Sequence, residues 1–111
     1  VLKDLKQSTR QRFVSLEFGY PNPDHEAEIV SHEGNIEHET AVQLVSLASK
    51  IRNIREHGLI EGASTRLLIY AAQLVKHGIP AADACRTAIC LPLTDDQRLL
   101  ETLCDLVEDI F

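Results

Sequence analysis

At 111 residues, 44% of them hydrophobic, the chain has room for one domain with its own core and little apolar area to spare. Seventeen acidic residues stand against eleven basic ones, a formal net charge of -6, which argues against a surface that grips a nucleic-acid backbone. No stretch approaches the ~20 apolar residues of a membrane span, and no charged-then-apolar start marks a signal peptide, so insertion into a membrane is not expected.

Charge is spread unevenly. Within residues 1–12, Lys3, Lys6, Arg10 and Arg12 face Asp4 alone, and a more acidic body follows. Leu2 and Leu5 are at helical spacing in this lead, which reads as a short helix. Phe13-Val14-Ser15-Leu16-Glu17-Phe18 then partly alternates apolar and polar, with Gly19 and Pro21 closing it, the pattern of one β-strand. A lone strand is incomplete, because its N–H and C=O groups need neighbours.

From Asn22 onward the pattern is helical. Asn22-Pro23-Asp24-His25-Glu26 is a helix start, with an Asn cap, proline at the first helical position and acids in the first turn. This helix is expected to end at Gly34, with a narrow stripe of Ala27, Ile29, Val30 and Glu33. Residues 38–57 repeat Ala41, Leu44, Val45, Ala48, Ile51 and Ile54 at three- and four-residue steps, with Gly58 as the stop and Lys50, Arg52 and Arg55 as a solvated face.

Gly62-Ala63-Ser64-Thr65-Arg66 opens the next helix, Ser64 capping it and Leu67, Leu68, Ala71, Leu74 and Val75 forming its apolar face up to His77-Gly78. Pro80 starts a small-residue helix with Ala81, Ala84, Cys85, Ala88 and Ile89, which Pro92 is expected to end. Thr94-Asp95-Asp96-Gln97 reads as a capping box, worth ~1 kcal/mol, ahead of a last helix repeating Leu99, Leu100, Leu103, Leu106, Val107 and Ile110. The expected fold is therefore all-α: a bundle of about five helices, preceded by a short helix and one β-strand.

Several chemistries are disfavoured. His25, His32 and His38 each precede a glutamate, but Ile29, Ile36 and Val42 stand where H-E-x-x-H needs its second histidine. No glycine-rich phosphate loop and no G-x-S-x-G elbow occurs. Cys85, Cys90 and Cys104 form no C-x-x-C pair and read as buried thiols of a reducing, cytoplasmic compartment.

Arg66 carries the functional argument. A cation in the first turn of a helix opposes the macrodipole by a few tenths of a kcal/mol, whereas an anion docked there reverses the sign and meets free N–H groups and a guanidinium fork together. The alternative is an arginine stem on apolar surface with its head in water.

Gly62-Ala63-Ser64-Thr65-Arg66 also resembles the sensor 2 motif of MoxR-type AAA+ ATPases, and its threonine is similar to the CbbQ/NirQ/NorQ branch. The resemblance runs through Phe18-Gly19-Tyr20-Pro21, Glu26-Ala27-Glu28-Ile29-Val30, Lys50-Ile51-Arg52-Asn53 and Pro92-Leu93-Thr94-Asp95-Asp96. It implies that residues 1–20 are the trailing helix and strand of a nucleotide-binding domain and residues 21–111 a helical lid. The chain, which opens on Val1 and lacks methionine, is then expected to be part of a longer protein.

The resemblance further implies ATP and Mg²⁺ in the parent protein and neither on this segment alone, with Arg66, Ser64 and Thr65 at the ATP phosphates. Arg12 or Arg10 would be the arginine finger reaching a neighbouring subunit, Gln11 standing where relatives carry aspartate. It implies a ring, hexameric by analogy, acting as a chaperone with a von Willebrand factor A-domain partner on a client enzyme, either Rubisco or nitric oxide reductase. A reading from another class is a stand-alone helical adaptor that binds a partner helix and no nucleotide.

Overall fold

The bundle begins where Asn22 caps its first helix, its side-chain oxygen accepting from the backbone N–H groups of Asp24 (2.8 Å) and His25 (3.4 Å). The structure is a computed structural model that describes residues 20–54 and 62–111. The basic lead with Arg10 and Arg12, the expected strand at 13–18 and the stop at Gly58 lie outside the described residues.

Five helical segments follow: α1 (Pro23–Gly34), α2 (His38–Ile54), α3 (Thr65–Lys76), α4 (residues 81–93) and α5 (Gln97–Ile110). The architecture is all-α, with no strand among the described residues. Helix α1 packs on α2 and α3, α4 packs on α3, and α5 covers α2 and α4. Leu44, Leu47, Ile51, Leu68, Ile89 and Leu103 are fully buried. Each contributes about 1.5–3 kcal/mol by leaving water. Among the described residues no helix is long and apolar enough to cross a membrane.

Four local expectations are corrected. In α1 the buried positions are Glu26, Ala27, Val30 and Gly34, while Ile29 is half-buried and Glu33 is exposed. Gly34 does not end the helix; Asn35 does, in the left-handed conformation (φ 57°), its N–H donating to the Ser31 carbonyl. The glycine serves a close approach instead, since a Cβ at Gly34 would fall inside the Ala72 methyl of α3. Gly34→Ala is therefore expected to destabilise the bundle by about 2 kcal/mol net, overpacking outweighing the ~1 kcal/mol gain in helix propensity. Urea unfolding checks this, and adding Ala72→Gly should recover part of the loss.

Pro92 lies within α4 rather than ending it: helical Ala81–Cys85 passes into a π-turn at Arg86–Cys90 and closes with Leu91–Leu93. In the π-turn the Leu91 N–H reaches the Arg86 carbonyl, five residues back. Proline has no N–H to offer Ala88 four residues earlier, and the wider turn takes up that break in the ladder. At α5 the cap is Asp96, whose carboxylate accepts from Arg98 (2.9 Å) and Leu99 (3.1 Å), while Thr94 Oγ1 only accepts from the Asp96 N–H. A charged cap suits the positive helix end better than the threonine hydroxyl.

The other expectation to fail concerns Arg52, assigned above to a solvated face. Its side chain is 11% exposed, folded inward against α1.

Candidate functional site

The start of α3 is fixed in two ways. Ser64 is extended (φ -86°, ψ 161°), and its hydroxyl oxygen accepts from the Leu67 N–H at 3.3 Å, the expected cap. The second fixture is a buried ion pair that sequence reasoning missed.

Glu26, in the first turn of α1, is fully buried. Arg52, near the end of α2, meets it with a bidentate fork, Nη1 to Oε1 at 3.0 Å and Nη2 to Oε2 at 2.8 Å. The Thr65 hydroxyl donates to the same Glu26 Oε2 at 2.7 Å. Arg52 Nε donates to the carbonyl of buried Ala63 at 2.8 Å. The ring of Tyr20 lies 3.6 Å from the Arg52 guanidinium carbon, a cation–π contact that closes the outer side.

This geometry meets the conditions a buried charge pair requires. Both carboxylate oxygens and three of the five guanidinium donors are paired, so little desolvation is left uncompensated. The arrangement holds both neighbours of Ser64: Ala63 by its carbonyl and Thr65 by its hydroxyl. Three elements and the entering chain at Tyr20 thus converge on one ion pair.

The expected site residues separate accordingly. Ser64 and Thr65 direct their hydroxyls to protein partners, while Arg66 is exposed. Among the described residues Arg66 forms neither an ion pair nor a side-chain hydrogen bond. Tyr70, one turn further along the same face of α3, is 49% exposed. Arg10 and Arg12 lie outside the described residues.

A sequence profile described as "CbbQ/NirQ/NorQ C-terminal" matches residues 26–110, beginning at the buried glutamate. The chain belongs to the CbbQ/NirQ/NorQ C-terminal family. Protein CbbQ of Hydrogenophilus thermoluteolus is 46% identical over 110 residues, covering 99% of this chain and 41% of that protein. Protein NorQ of Paracoccus denitrificans is 46% identical over 111 residues, 100% of this chain and 41% of its own length. The denitrification regulatory protein NirQ of Pseudomonas aeruginosa is 45% identical over 108 residues, 97% and 42% of the two chains. The chain therefore spans about two fifths of these CbbQ/NirQ/NorQ relatives.

The cysteines of this CbbQ/NirQ/NorQ domain are not part of the site. Cys85 and Cys90 are buried, Cys104 partly so, and all three are free. Burial first, then the neighbouring thiols, pushes Cys85 and Cys90 up to about 12. Thiols held protonated at neutral pH are poor nucleophiles and poor metal ligands. No cluster of metal-ligating side chains is found among the described residues.

These raised values carry a stability consequence. Below pH 9, the ordinary thiol value, both groups are protonated whether folded or unfolded, and their stabilising difference is fully present. Between about 9 and 12 the unfolded chain loses the protons that the folded one keeps. Stability is expected to fall over that window by up to about 1.4 kcal/mol per thiol per pH unit. Urea midpoints at pH 8 and pH 10 for the wild type and Cys85→Ala/Cys90→Ala check this; the double variant should show a shallower fall.

Proposed function

We propose that this chain is the lid of an AAA+ ATPase of the CbbQ/NirQ/NorQ type, and that Arg66 reads the nucleotide phosphate. The observation that carries the proposal is an exposed arginine in the first turn of α3, beside a cap whose two neighbours are held by a buried ion pair. A guanidinium spending its charge on water has no need of so firm a mounting. Anionic phosphate offers it a charge-assisted fork and relieves the opposition between cation and helix dipole.

In this reading ATP and Mg²⁺ are bound chiefly by a nucleotide-binding domain, to which residues 1–20 belong. The lid, residues 21–111, delivers Arg66 to the phosphate from the same subunit, with Ser64 and Thr65 shaping the helix start that faces it. Loss of the γ-phosphate on hydrolysis removes the anion that Arg66 holds, and the lid turns about Tyr20-Pro21-Asn22 as a rigid body. Arg12, with Arg10 as the alternative, acts across the interface of a ring, hexameric by analogy, where it stabilises charge on the transferring phosphate. The work done is chaperone-like activation of a client enzyme in the cytoplasm, Rubisco or nitric oxide reductase, with a von Willebrand factor A-domain partner.

The test is ATP hydrolysis and ring assembly by this chain joined to its nucleotide-binding domain. Wild type is compared with Arg66→Ala, Arg12→Ala and Arg10→Ala. Loss of turnover in Arg66→Ala and in one of the two others, with assembly retained, supports the reading. Unchanged turnover in all three returns the chain to a helical adaptor that binds no nucleotide.

A further inference from the structure

Resting on Arg66 as the phosphate-reading group, we infer that Thr65, Glu26 and Arg52 are positioning residues for Arg66, and that the Thr65 hydroxyl is the contact through which they act. The start of a twelve-residue helix ordinarily frays, because its first N–H groups lack partners within the helix. Here the chain is pinned on both sides of the cap. Ala63 is held by its carbonyl to Arg52 Nε, and Thr65 by its hydroxyl to Glu26 Oε2, at 2.8 and 2.7 Å. Arg66 is the next residue, so its Cα is one peptide unit from an anchored one.

Glu26 is fully buried in α1, Arg52 is 11% exposed in α2, and their two parallel hydrogen bonds permit neither side chain to rotate alone. Tyr20 stacks on the same guanidinium from the chain entering α1. A displacement at Tyr20 and a pull on Arg66 therefore meet in one group of four side chains. A threonine hydroxyl in this place converts a buried carboxylate into a fixture for a neighbouring exposed cation.

Three substitutions separate positioning from simple stability. Thr65→Val keeps the shape and removes the hydroxyl; Thr65→Ser keeps the hydroxyl; both are made in the wild type and in Arg66→Ala, in the chain joined to its nucleotide-binding domain. Steady-state ATP turnover and thermal unfolding are measured for each. The expected result is a 3- to 10-fold fall in kcat/KM for Thr65→Val, recovery to within twofold in Thr65→Ser, and no further fall when Thr65→Val is added to Arg66→Ala, the non-additivity of residues acting through one another. Equal losses in Val and Ser, a loss that multiplies with that of Arg66→Ala, or no loss at all would overturn the positioning role. If Arg66→Ala alone turns over ATP like the wild type, the phosphate-reading role fails and the positioning role with it; if Arg66→Ala is impaired and Thr65→Val is not, only the positioning role fails.

Discussion

Replacing Arg52 by alanine is expected to cost the bundle about 3–5 kcal/mol, the usual penalty for removing one partner of a buried ion pair. The loss goes beyond one contact. Glu26 stays at the centre of α1, α2 and α3, fully buried, with the Thr65 hydroxyl as its remaining side-chain partner. The Ala63 carbonyl loses its Nε donor, and Tyr20 loses the cation under its ring. Against the 5–15 kcal/mol that a domain of this size typically holds, the variant is marginal. Urea unfolding followed by circular dichroism measures it. Glu26→Gln/Arg52→Met removes both charges and should be less harmful than Arg52→Ala alone, because no uncompensated charge remains.

Arg66→Ala is expected to do the opposite: leave stability within about 0.5 kcal/mol of wild type, as exposed substitutions do, and lower ATP turnover by about 10- to 100-fold. Arg66 is exposed and has no ion-pair partner among the described residues, so truncating it leaves no charge stranded. Its removal even relieves a cation from the positive end of α3. On the proposed reading, what it takes away is the guanidinium fork that meets phosphate. Arg66→Lys retains charge without the planar fork and should recover only part of the turnover. On that reading stability and activity part company at two arginines, Arg52 holding the fold and Arg66 proposed to serve the ligand.

Which features were legible in the sequence follows from the range of the physics that makes them. Asn22 before Pro23, and Ser64 before Thr65, are capping arrangements completed within three residues, and both are present as read. The stripe from Ala41 to Ile51 is buried because helical periodicity alone puts those positions on one face. Gly34 and Pro92 were misjudged because each was read as punctuation. The first answers to Ala72 across a helix contact, and the second is accommodated by the π-turn just before it, which an ideal helical ladder does not offer.

The same division runs through the site. Arg66 could be singled out because a cation in a first helical turn conflicts with its own helix. Glu26 and Arg52 could not be paired, since 26 positions separate them and each resembles an ordinary surface charge. The one hint was Glu26 lying four residues before Val30, on what proves to be the buried stripe of α1. The resemblance puts Thr65 at the phosphate, and the tertiary structure turns its hydroxyl toward Glu26.

The central claim, that Arg66 reads the terminal phosphate, is tested most directly by comparing affinities for ATP and ADP in the wild type and in Arg66→Ala, with the chain joined to its nucleotide-binding domain. The account predicts that the wild type prefers a non-hydrolysable ATP analogue over ADP and that Arg66→Ala loses about tenfold or more of that preference, the worth of one charge-assisted pair. An undiminished preference in the variant would contradict it.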